Sequence, residues 1–234
     1  MSAVPCLILA GGLGTRIRSV LGDVPKCLAP VGDQAFLSLL IAHLRRQGFT
    51  NIALSLGHGA EQVERYIAER PALQDVRVCR EPSPLGTGGA ILYAMHTLGL
   101  EETVVVNGDT FLDAPAESLW SPLRSDQGER IRMLGVEVAD TARFGALHLN
   151  ADGRLAGFQE KGVTGAGRIN AGYYRVGRPA FGDRAPGEIF SFETEILTPA
   201  ATAGAVQVTP VAGRFTDIGV PDDYQAFCRQ HTSA

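Results

Sequence analysis

Val4-Pro5-Cys6-Leu7-Ile8-Leu9-Ala10-Gly11-Gly12-Leu13-Gly14-Thr15-Arg16 is the stretch on which the fold turns. Its first six residues are apolar without alternation and break at Gly11-Gly12. A strand with one wet face alternates, whereas a strand covered on both faces does not. The reading is a central parallel strand followed by a glycine-rich turn. Glycines let backbone N–H groups approach an anion closely, and Arg16 and Lys26 supply cations nearby, so the turn is suited to cradling phosphates. It is not a Walker A loop, because the spacing to a Lys-Ser/Thr pair fails. It is not the dinucleotide fingerprint either, because Ile17 stands where the third glycine belongs. Taken alone, an ordinary strand-to-helix turn with a surface Arg and Lys is the plainer alternative.

Outward from this turn the apolar pattern repeats. Phe36, Leu37, Leu40 and Leu44 recur at helical spacing, and Gly48 after Arg45-Arg46 suits a helix C-terminus. Strands are expected at 52–56, 76–79 and 103–106, with helices at 60–69 and 89–98. Strand and helix alternating in this way imply crossover units and a mainly parallel sheet, with ligands at the carboxyl ends of the strands. The second half reads as more antiparallel. Strands are expected at 131–138, 146–149, 155–158 and 172–176, with Asp152-Gly153 as a turn. A helix from Phe192, short strands near Val206 and Phe215, and a helix from Pro221 complete it. We expect a single α/β domain over 1–234, a Rossmann-like mixed sheet flanked by helices. Its nucleotide-binding half would span about 1–115 and its sugar-phosphate half about 116–234.

Composition narrows the classes further. The 234 residues are 45% hydrophobic, with 28 glycines and 13 prolines, which excludes low complexity. A net charge of −4 provides no field for holding a nucleic-acid backbone. No apolar run is long enough for a bilayer and the N-terminal segment lacks a basic flank, so no membrane association and a cytoplasmic location are expected. Cys6, Cys27, Cys79 and Cys228 form no C-x-x-C pair and are expected to be reduced.

Further segments carry candidate chemistry. Glu81-Pro82-Ser83-Pro84-Leu85-Gly86-Thr87-Gly88-Gly89 is a rigid approach to a helix whose free backbone groups could edge a base or sugar. Gly57-His58-Gly59 also follows a strand, but with no cation nearby it reads as an ordinary turn. Asn107-Gly108-Asp109 and Asp217 each end a strand. Converging there, Asp109 and Asp217 could hold Mg²⁺, although each viewed singly is equally a turn-forming or capping aspartate. Glu160-Lys161 and Asn170-Ala171-Gly172 offer groups suited to sugar hydroxyls and a phosphate, or are solvated turns. The five histidines form no metal-spaced pair, and no G-x-S-x-G elbow is present.

In order along the chain, Leu9 to Arg16, Pro25-Lys26, Pro84 to Gly88, Asn107-Gly108-Asp109, Glu160-Lys161, Asn170-Ala171-Gly172 and Asp217 to Tyr224 resemble the sugar-1-phosphate nucleotidylyltransferases. Within them, Ala142-Arg143-Phe144-Gly145 and Ser191-Phe192-Glu193 are most similar to the D-glycero-D-manno-heptose 1-phosphate guanylyltransferase branch. A hexose-1-phosphate enzyme using another triphosphate, or a non-catalytic nucleotide-sugar sensor on the same fold, stays open.

The resemblance implies that Leu9, Ala10, Gly11, Gly12, Gly14, Thr15, Gly86 and Thr87 wrap a nucleoside triphosphate, probed by Arg16 and Lys26 at its phosphates. It implies Asp109 and Asp217 as Mg²⁺ ligands. Asn107, Gly145, Glu160, Lys161, Asn170 and Gly172 would address the sugar 1-phosphate. Catalysis would be in-line attack on the α-phosphorus, serving surface polysaccharide synthesis, with Arg16, Lys26 and Asp109 carrying the chemistry. Glu81 is the expected reader of guanine, because a carboxylate only accepts hydrogen bonds and can take both N1–H and the exocyclic amine. Cys27 follows Lys26 where the family usually shows proline, which leaves the stiffness of Lys26 in question. The chain leaves no room for the β-helical extension of longer relatives, so one activity is expected, and a homodimer is admitted.

Overall fold

The computed structural model describes residues 4–231. The front half contributes β1 (Cys6–Leu9), α1 (Arg18–Leu21), a small hairpin of β2 (Pro30–Val31) and β3 (Gln34–Ala35), α2 (Phe36–Arg46), β4 (Ile52–Leu56) and α3 (Ala60–Ala68). β5 (Arg77–Arg80), α4 (Gly86–Thr97), β6 (Glu102–Asn107) and β7 (Thr110–Asp113) follow. The back half holds β8 (Ile131–Val138), β9 (Leu147–Leu149), β10 (Leu155–Phe158), β11 (Gly167–Gly177), α5 (Thr198–Thr202), β12 (Val206–Val211), β13 (Arg214–Asp217) and α6 (Pro221–His231).

Both halves share one seven-stranded sheet in the order β12-β8-β11-β6-β1-β4-β5. β1 lies between β4 and β6 and is parallel to both, as its unbroken apolar run implies. Its side chains divide between two cores. Cys6 and Ile8 pack with α2, α3 and α6 on one face, while Leu7 packs with α4 and α5 on the other. Burial on both faces explains the absence of polar alternation.

The expected antiparallel character of the back half resolves into particular pairings. β11 runs antiparallel to both β6 and β8, and β9 pairs antiparallel with β10, whereas β12 is parallel to β8. β11 begins five residues before the expected Gly172 start and is irregular between Asn170 and Tyr174, where its register on β8 shifts. Such a bulge bends a strand and re-aims its side chains. α4 starts at Gly86, a turn before the expected Gly89, because the carbonyl of Phe190 caps it. β7, which pairs antiparallel with β13, was not legible from the pattern.

Candidate active site

The carboxyl ends of β1, β4, β5 and β6 open on one cleft of about 1200 Å³, more than the roughly 300–1,000 Å³ of a usual small-molecule site. The register explains the convergence. Leu9 lies beside Asn107 on one side and Ser55 on the other, and Tyr173 of β11 lies beside Val106. Strand ends far apart in sequence are thereby level in space.

The glycine-rich loop forms one wall. Gly14 takes a left-handed φ of 59° before the 3-10 turn Thr15–Ile17, a conformation that favours glycine. The amides of Gly12, Leu13 and Gly14 donate to no acceptor among the described residues, so they remain available to an anion. Gly11 is required for a different reason. A Cβ there would lie 2.7 Å from the Gly57 nitrogen and 2.8 Å from Glu81 Oε1. Gly57 and His58 also line the cleft and Gly59 does not, so the turn expected at this glycine pair borders the wall at one end.

Beneath this wall sits the Glu81 carboxylate. Its Oε2 accepts from the Leu85 amide at 3.2 Å, and its Oε1 lies 3.5 Å from Ser55 Oγ. Burial holds its carboxyl above the usual range, and the hydrogen bonds from Leu85 and Ser55 oppose that rise. Of the following segment, Gly86 and Thr87 line the cleft. The amides of Gly88 and Gly89 instead donate to the Phe190 carbonyl, and Thr87 Oγ1 accepts from the Phe192 amide. The expectation of free backbone groups at this helix start therefore holds for the amides of Gly86 and Thr87, which donate to no acceptor among the described residues, and is corrected for Gly88 and Gly89, which the chain at 190–192 caps.

At the other end of the loop the charged groups meet. Lys26 Nζ donates to Asp109 Oδ2 at 2.6 Å and lies 3.7 Å from Asp217 Oδ1, while Arg16 Nη2 lies 4.0 Å from Asp217 Oδ2. The Ile218 amide donates to the Asp109 carbonyl and the Gly219 amide to Asp217 Oδ1, which ties the β6–β7 turn to the end of β13. The backbone that carries Lys26 is held by its own turn, without a proline after it. Leu28 N–H donates to the Pro25 carbonyl and Ala29 N–H to that of Lys26, closing a 3-10 turn over buried Cys27. Burial pushes the Cys27 thiol up to about 12, so it is inert.

The remaining sequence candidates lie along the far wall. Asn107, Gly145, Glu160, Lys161, Asn170 and Gly172 all line the cleft. The β11 bulge sets Asn170, whose Nδ2 donates to Tyr174 Oη and whose Oδ1 accepts from the Gly172 amide. Ala10, Thr15 and Lys26 are not among the cleft-lining residues; Gly14 and Lys26 instead line a small neighbouring pocket. Lys26 reaches the cleft through its contacts with Asp109 and Asp217, which both line it. Sequence reasoning missed Ser55, Arg143, Tyr174 and Glu193 as cleft residues. Only Arg143 and Glu193 stood in quoted segments, and Tyr174 reads as core.

A cleft at the strand ends, free loop amides and a cation–carboxylate cluster are what an α/β protein uses to hold an anionic ligand. The comparisons make the family definite. Residues 6–233 match the model described as Nucleotidyl transferase, and the chain belongs to that family. It is 33% identical over 219 residues to the D-glycero-alpha-D-manno-heptose 1-phosphate guanylyltransferase of Aneurinibacillus thermoaerophilus, covering 94% of each chain. It is 33% identical over 221 residues to the protein of the same name from Campylobacter jejuni, covering 94% of this chain and 97% of that one. Among solved structures, HddC from Yersinia pseudotuberculosis superposes with a TM-score of 0.84 at 34% identity, over 97% of this chain and 99% of that one. HddC is also similar in its complex with GMP-PN.

Proposed function

We propose that the protein transfers the guanylyl group of GTP to D-glycero-α-D-manno-heptose 1-phosphate, forming GDP-heptose and pyrophosphate. The observation that carries this reading is the meeting of Arg16 and Lys26 with Asp109 and Asp217 at the mouth of one cleft. The names of the full-length relatives favour guanine and heptose, and Glu81 at the cleft floor offers the acceptors that guanine needs. The buried thiols of Cys6, Cys27 and Cys79 suit the reducing cytoplasm.

Asp109 and Asp217 would hold Mg²⁺. The fit rests on the donor set. Two carboxylates converge on a position that already accommodates a cation, and backbone without a Cβ at Gly219 borders it. Two protein carboxylates are a usual share for Mg²⁺, which takes its other ligands from phosphates and water. When bound, the ion supplies charge neutralisation at the triphosphate oxygens.

The chain's own part is positioning and electrostatics. The Gly12 to Gly14 amides and Arg16 hold the triphosphate tail, while Lys161 and Asn170 orient the sugar 1-phosphate. One of its phosphate oxygens attacks the α-phosphorus, the α–β bridging bond breaks, and pyrophosphate departs with that electron pair. A phosphate nucleophile is already ionised at neutral pH, so no general base is needed.

The test is a matrix of GTP, ATP, CTP, UTP and dTTP against heptose, mannose and glucose 1-phosphates, with and without Mg²⁺, followed by pyrophosphate release. Highest kcat/KM for GTP with the heptose phosphate is expected. Preference for another pair overturns the assignment of substrates, and no turnover with any pair overturns the enzyme.

A further inference from the structure

The Lys26 ammonium occupies the space between the two carboxylates. Its side chain is only 13% exposed and that of Asp217 only 15%, while Asp109 keeps 34%, so the ammonium and one of the two carboxylates are largely withdrawn from solvent. Arg16 is no substitute, since its side chain is 68% exposed and stands 4.0 Å from Asp217. The missing side chain at Gly219 leaves the ammonium its room. A Cβ there would lie 2.1 Å from Lys26 Nζ, 3.1 Å from Lys26 Cε and 2.8 Å from Asp217 Oδ1. Yet Gly219 is not among the glycines with positive φ, so its backbone would admit any residue. A side chain at 219 would therefore meet only these charged ends, and they would have to move out of the seat to admit it.

We propose that Lys26 is a built-in counter-ion. It holds Asp109 and Asp217 together in the nucleotide-free enzyme and denies them to free divalent ions. It leaves them when the triphosphate takes up its ammonium, so metal and nucleotide enter together. The inference rests on the proposed function, in which these carboxylates are the metal ligands.

The physical case is electrostatic. Two half-buried carboxylates repel each other, and an ammonium at hydrogen-bond distance removes that repulsion. A divalent ion arriving while the ammonium is seated meets a like charge within a few ångströms. An ammonium carries three donors and no acceptor, so phosphate oxygens are a matching alternative partner. The four-carbon stem lets Nζ swing while the 3-10 turn Lys26–Leu28 keeps the backbone fixed. Lys26 thus acts on the metal as a positioning residue, apart from any contact with phosphate.

The experiment titrates Mn²⁺ into nucleotide-free wild type, Lys26→Met and Lys26→Gln, and reads free Mn²⁺ by electron paramagnetic resonance. Wild type is expected to bind weakly, and both folded variants to bind one ion about tenfold more tightly or better. The variants should melt below wild type in EDTA and recover with Mn²⁺. Affinity unchanged or weakened in the folded variants overturns the proposal.

Wild type alone provides a second measurement that does not depend on the variants folding. High Mn²⁺ should speed acetylation of Lys26 by acetic anhydride, followed by peptide mass spectrometry. Mn²⁺ bound with the acetylation rate unchanged overturns the proposal. Turnover of GTP and heptose 1-phosphate by wild type is measured alongside. Absent turnover defeats the proposed function whatever Mn²⁺ does, whereas turnover without the affinity gain defeats only the counter-ion.

Discussion

The backbone amide of Leu85 donates to Glu81 Oε2 across a four-residue turn, at 3.2 Å. This bond fixes a carboxylate that lines the cleft, and the space beside its other oxygen is left open because residues 11 and 57 carry no Cβ. A carboxylate so placed presents only acceptors, which complements the two adjacent donors on guanine. Glu81→Gln replaces one acceptor by a donor. We predict that it lowers kcat/KM for GTP by roughly 100-fold or more, because a buried mismatched polar group is costly. Steady-state kinetics with GTP and with inosine triphosphate, which lacks the exocyclic amine, checks this: the variant should discriminate little between them. Unchanged selectivity would remove Glu81 from base reading.

The same carboxyl sets a pH dependence. Burial raises it above an ordinary glutamate, so it takes up its proton at a higher pH than an exposed one does. The protonated acid loses an acceptor, and GTP binding therefore weakens as pH falls through that raised value. The predicted signature is a KM for GTP that climbs on acidification in wild type and stays flat in Glu81→Gln. A wild-type profile identical to the variant's would contradict it.

Asp109 receives the shortest contact in the charged cluster, from Lys26. Asp109→Asn keeps the shape and removes the charge. Turnover should fall roughly 100-fold or more as phosphate neutralisation is lost, with the circular dichroism spectrum unchanged. Near-normal turnover in a well-folded variant would take Asp109 out of the chemistry.

Gly108 tests the packing that levels the strand ends. Its amide donates to the Leu9 carbonyl at 2.9 Å, and a Cβ on it would lie 2.4 Å from the same oxygen. Neither group is the loose end of a side chain. Gly108→Ala should cost about 1–3 kcal/mol in urea denaturation and depress activity, since β1 and β6 must part where the cleft begins. A neutral substitution would mean that the turn relaxes freely.

His43 supplies a pH dependence of stability separate from the site. It is buried, bonds the Leu112 carbonyl through Nε2, and sits near Arg46, Asp113 and His231. Burial lowers its proton affinity, the Leu112 carbonyl acts against that, and Arg46 adds to it. A folded value below the unfolded one gives stability that is present above about pH 6.5 and lost as pH falls toward the folded value. Thermal melts from pH 7.5 to 5 should decline less steeply in His43→Gln than in wild type.

Much of this architecture was legible where local and global demands agree. The unalternating run at 6–9 is a central strand because both faces are covered, and the glycine turn after it opens the cleft. Phe36 to Leu44 formed the helix that its spacing implied. The residues brought together at the site were also legible in type: acids at strand ends, cations after the loop. What pattern could not reveal was pairing at a distance. β7 is short and finds its place through β13, about a hundred residues on. The cap on α4 comes from Phe190, and Gly57 belongs to the site only because Gly11 packs on it. The bulge in β11 is equally silent, since Asn170-Ala171-Gly172 acquires its aim from strands on either side.

The pairing of β7 with β13 carries an implication for biosynthesis. A ribosome delivers the glycine-rich loop, Glu81 and Asp109 long before it delivers Asp217, and β13 must dock before the acid pair is complete. A nascent or truncated polypeptide ending ahead of residue 214 would thus present the cleft with half its acid pair, and the cluster is assembled only once β13 has emerged.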